Sequence, residues 1–150
     1  MPDRTPPLPG DTHFVSDWFT IDEEHLRQFS WATYLDDAHV DLTPSRNHPL
    51  GSTLVDGFLL LSLLTYFSFK YAPRAGDGGY GFNYGTDRVR FTSPVMLGER
   101  VRVESVVVSA VERSGGTLLT TDNTMYVEGR EKPAMVARWV VLQRGTGDAS

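Results

Sequence analysis

The sequence predicts an α+β fold in which a curved antiparallel sheet wraps around one central helix. Two observations carry that prediction. The run Gly57-Phe58-Leu59-Leu60-Leu61-Ser62-Leu63-Leu64, continuing to about Lys70, is apolar nearly all round, so a helix here is buried on most sides. Beyond it the pattern changes to period two, and the last three such segments run for roughly ten to fifteen residues, where about five or six is usual. Long antiparallel strands curl, and one helix can lie in the curl.

The elements follow in order. Residues 1–12 are proline-rich and predict a loose arm; residues 144–150 predict a loose tail. His13 to Phe19 reads as a short strand. Thr20 opens a helix, because Thr20 and Glu23 fit a capping box, and Ile21, Leu26, Phe29 and Thr33 fall roughly on one face. Asp36 to Gly51, with two prolines and several turn formers, reads as an ordered loop. The central helix follows, then a glycine-rich loop from Gly76 to Gly81. Strands are predicted at Thr86–Phe91, Glu99–Arg113, Thr117–Glu128 and Pro133–Leu142. Ser114-Gly115-Gly116 turns a hairpin, and Gly129-Arg130-Glu131 supplies a second turn. This is the hotdog arrangement. A single wrapped helix leaves a sheet edge and helix ends poorly covered, so a homodimer formed by edge pairing is expected.

With 150 residues the chain suits one domain, 1–150. Its net charge of −5 argues against a nucleic-acid partner. It has no cysteine, which removes disulfides and thiolate metal sites and fits a reducing cytoplasm. The N-terminal stretch has no apolar core of the signal-peptide kind, and the longest apolar stretch, Phe58 to Phe69, is too short to span a membrane, which takes about 20 residues. His13, His25 and His48 show no ligand spacing, so no metal site is expected. No phosphate loop, dinucleotide fingerprint or nucleophile elbow is present, and no cofactor is expected.

The chemistry concentrates around His39-Val40-Asp41 and the start of the central helix. A buried helix start offers unpaired N–H groups and the positive end of a dipole, a place to polarise a carbonyl. A nearby His can move a proton. Gly57 is either an oxyanion donor or a helix-start residue chosen for backbone freedom. Asp56 reads first as an N-cap and second as a catalytic carboxylate. Asp36 and Asp37 read as turn formers or as partners of His39. Asn83, Tyr84 and Arg88 lie where a strand follows a glycine-rich loop. They supply either turn chemistry with an Asp87 ion pair, or the lining of a substrate pocket.

Several runs carry a family resemblance: Phe29…Ala32-Thr33, His39-Val40-Asp41, Gly51 through Leu63, Asn83-Tyr84-Gly85-Thr86-Asp87-Arg88-Val89-Arg90-Phe91, Pro94-Val95, Gly98-Glu99-Arg100-Val101 and Lys132-Pro133-Ala134. Over roughly residues 14–142 the chain resembles MaoC-like hydratases and dehydratases of the NodN type. The resemblance implies a hotdog dimer acting on an acyl thioester of CoA or acyl carrier protein, adding water to a trans-2-enoyl group or removing it from the (R)-3-hydroxy form. It gives His39 the proton-transfer role and Gly57 the oxyanion role. It also places Phe58, Phe82 and Phe91 along the acyl chain, with Asn83, Tyr84 and Arg88 contacting the acyl or pantetheine–phosphate part.

Two positions depart from the family pattern. The family has an Asp five residues before its His; here that residue is Tyr34, and Asp36 or Asp37 would have to substitute. The family commonly has a His just before the helix glycine, where this chain has Asp56. Three functions are compatible with these residues. One is a hydratase or dehydratase of acyl thioesters. Another is a repurposed hotdog enzyme, with Tyr34 and Asp56 adapted to a bulkier substrate for isomerisation, cyclisation or another elimination. The third is a non-catalytic subunit that binds a lipid-like ligand.

Overall fold

The central helix α3 spans Gly57–Tyr71 and buries Leu59, Leu60, Leu64 and Phe67, a stripe at helical spacing. In this computed structural model, which describes residues 5–74 and 79–145, that stripe belongs to one core with Val101, Val103, Met125, Val127, Met135, Ala137 and Trp139 from the sheet. The burial expected on most sides of the helix is not met within one chain. Phe58 is 67% exposed and Phe69 79%, because the sheet covers only one side of α3.

The sheet has six antiparallel strands. β1 (Thr12–Val15) and β2 (Phe19–Thr20) both pair with β4 (Arg100–Arg113), followed in space by β5 (Gly116–Val127), β6 (Met135–Arg144) and β3 (Tyr80–Phe91). The three long C-terminal strands lie where the period-two pattern put them. The β4–β5 hairpin turns at Ser114-Gly115, and Gly115 and Gly116 hold positive φ of 80° and 155°, conformations that suit glycine.

Four local expectations are corrected. The first strand splits in two, because the Ser16 backbone and hydroxyl both bond Val103 and interrupt the run. Thr20 does not cap α1 (Glu23–Ala32). Ile21, fully buried, is held extended by bonds to Glu99 and Gly98, so the cap falls on Asp22, which accepts from the His25 amide at 2.9 Å. The N-terminal arm is tied down from Gly10, whose amide donates to Val107. β3 begins at Tyr80, six residues before the predicted start. Gly81 and Gly85 hide the alternation, but the pairing with β6 overrides that weak local signal. Half of the predicted glycine-rich loop, 76–78, lies outside the described residues, as does most of the predicted tail.

β3 is an edge strand that is exposed along nearly its whole length. It carries two bulges, at Tyr84 and Asp87, which reset its alternation. The loop between α1 and α3 contains a short helix α2 (Thr43–Arg46) and a 3-10 turn at Gly51–Thr53. No helix among the described residues is long and apolar enough to cross a membrane.

Truncating the buried stripe of α3 tests this packing. Leu64→Ala should cost about 2–5 kcal/mol, read from the midpoint of urea unfolding. A cost below about 1 kcal/mol would mean that α3 is not the core helix.

Candidate active site

α1 ends at Thr33, and the chain leaves it through Tyr34, held at a φ of +59°. This places Asp36 at the head of a tight turn. Its carbonyl accepts from the His39 and Val40 amides at 3.1 and 3.0 Å. Its carboxylate accepts from the Ala38 amide at 3.0 Å and meets His39 Nδ1 at 2.8 Å. The hydrogen bond from His39 is the main cause holding the Asp36 carboxyl below the usual carboxylate range. An ionised carboxylate only accepts, so Nδ1 is the donor in this bond, and Nε2 has no partner among the described residues. The Tyr34 ring packs edge-on against the imidazole, centroids 4.8 Å apart.

The other two aspartates have different work. Asp37 pairs with Arg46 at 2.6 Å, joining the turn to α2. Asp56 caps α3, its carboxylate accepting from the Phe58 amide at 2.7 Å, as its residue type predicts. The Leu59 and Leu60 amides donate to the Asp56 carbonyl. The Gly57 amide has no such acceptor among the described residues, so it is the free donor at the helix start. The start itself is fixed by Val55 N donating to Val95 O at 2.8 Å and Leu97 N to Thr53 O at 2.7 Å. The Phe91 ring lies over Gly57, where a Cβ would come within 3.1 Å of it. Phe58 meets the same ring edge-on.

Two cavities continue along α3 away from this point. The nearer, about 270 Å³, lies among Ser62, Thr65, Asn83, Gly85, Thr86 and Trp139. The farther, about 810 Å³, shares Thr65, Asn83 and Trp139 and extends to Ser68, Tyr80 and Gln143. Asn83 therefore faces α3. Phe82 sits beside Tyr80 at the far end, separated from Phe58 and Phe91, so the three phenylalanines do not form one wall. Tyr84 is the bulged residue and is exposed. Arg88 pairs in register with Arg138, which holds Asp122 through two 2.8 Å bonds. Arg88 is thus placed on the face of β3 opposite Thr86 and Val89, the residues in register with inward-facing Trp139 and Ala137. Among the described residues no hydrogen bond or ring contact joins the His39 turn to α3 within one chain. The cavity residues His13, Thr65, Ser68, Thr121 and Gln143 were missed from sequence. They belong to no motif, and only the folded register brings them together.

Residues 6–128 match the family model of the MaoC-like domain. The chain belongs to the MaoC-like family. Among curated relatives it is 37% identical over 131 residues to Nodulation protein N of Rhizobium leguminosarum bv. viciae, covering 85% of this chain and 81% of that one. It is 38% identical over 134 residues to 3-hydroxyacyl-thioester dehydratase Z of Mycobacterium tuberculosis, covering 88% of each. Among solved structures, the (R)-hydratase from A. caviae involved in PHA biosynthesis superposes with a TM-score of 0.69 at 18% identity, covering 93% of this chain and 98% of that one. The fold is the hotdog fold of these MaoC-like structures.

Two outcomes are expected. Asp56→Ala should lower stability by about 0.5–2 kcal/mol through loss of the cap, and Asp56→Asn should retain most of it. Calorimetry on the two variants separates capping from charge. For Asp36, the folded pKa lies below the unfolded one. Its bond to His39 therefore contributes fully above the ordinary aspartate value of about 3.9 and is lost only as pH falls through the lowered folded value. NMR of the His39 ring should show the bonded Nδ1 proton persisting through pH 4; its loss above that point would contradict the pairing.

Proposed function

We propose that this MaoC-like chain is a hydro-lyase. It adds water to a 2-enoyl thioester, or removes water from the 3-hydroxy form, on CoA or acyl carrier protein. The observation that carries the reading is the Asp36–His39 pair, a carboxylate–imidazole arrangement with Nε2 free, in a chain that is 38% identical to a protein named as a 3-hydroxyacyl-thioester dehydratase.

The chemistry follows from two groups. In hydration, Nε2 of His39 takes a proton from water as the oxygen bonds to C3. The electron pair of the double bond moves toward C2 and the thioester oxygen. The Gly57 N–H and the α3 dipole hold the enolate charge. His39 then returns the proton to C2. Dehydration is the same path reversed. Asp36 keeps Nδ1 protonated and stabilises the imidazolium that forms. In this reading His39 is the single proton carrier, because Asp36 is engaged on the other ring nitrogen. The paired carboxylate also favours a working enzyme over a purely ligand-binding subunit.

The working unit in this proposal is a homodimer. Among the described residues the outer edge of β3 is unpaired, which is a liability that proteins normally cover. Trp31, Tyr34, Phe58 and Phe69 expose large apolar surfaces, and a second copy paired along β3 would cover part of this surface. The absence of cysteine suits the cytoplasm, where such thioesters would be met.

On enoyl thioesters followed by absorbance, His39→Ala should lower kcat at least about 10²-fold while leaving the unfolding transition unchanged. Asp36→Asn should fall in the same direction, and Asp37→Asn should stay near wild type. Full activity in His39→Ala, or collapse in Asp56→Asn alone, would overturn the assignment. Light scattering should give twice the 16.7 kDa chain mass.

A further inference from the structure

The larger cavity beside α3 is walled by polar side chains with unused hydrogen-bonding capacity. Ser62 shows the usual fate of a helix hydroxyl, donating back to the Phe58 carbonyl at 2.7 Å. Thr65 and Ser68, farther along the same helix, make no such bond, and both border the cavity. Across from them Thr121 is 3% exposed. Its oxygen accepts from Asn123 Nδ2 at 3.0 Å, and its own O–H has no acceptor among the described residues. The side chains of Asn83 and Gln143 likewise have no protein partner among the described residues. His13 completes the wall; burial pushes its pKa down and keeps the ring neutral, able to donate and accept once each. The apolar part of the wall comes from Trp139, Leu119, Val141 and Phe69.

A cavity of about 810 Å³ is the size of a ligand site. A plain alkyl chain filling it would leave the free donors and acceptors of these six polar side chains without a partner. A chain bearing hydroxyl or keto oxygens would satisfy them. Resting on the acyl-thioester reading above, we infer that the acyl group taken by this chain is oxygenated along its length, and that Thr65, Ser68, Thr121, Asn83, Gln143 and His13 recognise those oxygens. The helix sets the distance. At 1.5 Å per residue, Thr65 lies about 12 Å and Ser68 about 17 Å along α3 from Gly57. An extended alkyl chain with bonds of about 1.5 Å zigzags and advances about 1.3 Å per carbon, so the first recognised oxygen falls roughly nine carbons from the thioester carbonyl.

The test compares trans-2-dodecenoyl-CoA with the same thioester carrying a hydroxyl or keto oxygen about nine carbons from the carbonyl. The full-length chain should prefer the oxygenated thioesters by at least about tenfold in kcat/KM, since a site built to bond a substrate hydroxyl rejects an analogue lacking it. In Thr65→Val/Ser68→Ala that ratio should fall toward one; Ser68→Ala alone serves if the double variant does not unfold cooperatively. Turnover of dodecenoyl-CoA equal to or better than that of the oxygenated forms overturns the inference and leaves the hydro-lyase reading standing. A preference that survives in the variants also overturns it. No turnover of either series overturns both.

Discussion

The position of the first turn of α3 is the constraint on which the rest depends. Three sets of contacts meet there. Val55 and Leu97 tie the preceding segment to the β3–β4 connection, Asp56 closes the cap, and Phe91 stacks over Gly57. A helix whose start is fixed in this way presents its buried stripe to the sheet in one register. It also leaves the Gly57 amide as the one N–H of that turn without an acceptor among the described residues. Packing and electrostatics thus converge on one residue. A larger side chain at position 57 would have to displace an aromatic ring, and the cap and the free amide would shift with it.

The three aspartates show how local geometry sorts chemically identical groups. Asp36, Asp37 and Asp56 are equivalent by residue type. One faces an imidazole, one an arginine and one a helix N-terminus. Only the first leaves its partner able to exchange a proton, because an arginine does not deprotonate in proteins and a backbone amide does not titrate. The Asp36 carboxylate, three residues before His39, reaches the ring through a tight turn. The charge is therefore spent on holding the tautomer.

Much of the architecture was readable in the sequence. The apolar run named α3, and the period-two pattern over Glu99–Arg113 named β4. Both signals are periodic and long. Asp56 was readable as a cap from its type alone. Thr20 and Tyr80 were not, since tertiary bonds at Ile21 and cross-strand pairing with β6 outweighed short local patterns. Motif logic brought His39 forward, but which aspartate meets it depended on a turn that the Tyr34 backbone conformation sets. Arg88 falls in register with Arg138 on the outer face, in a strand whose alternation is reset by bulges at Tyr84 and Asp87, and a bulge has no reliable sequence mark.

Tyr34 carries a consequence of its own. It is the one non-glycine residue with positive φ among the described residues, a conformation that costs an L-residue roughly 1–2 kcal/mol. Glycine would relieve that cost and would also remove the ring packed on His39. The turn thus trades conformational ease for a fixed imidazole. Chains selected in the laboratory for thermal resilience alone would be drawn toward glycine here, and would lose rigidity at the His39 ring while gaining it in the fold.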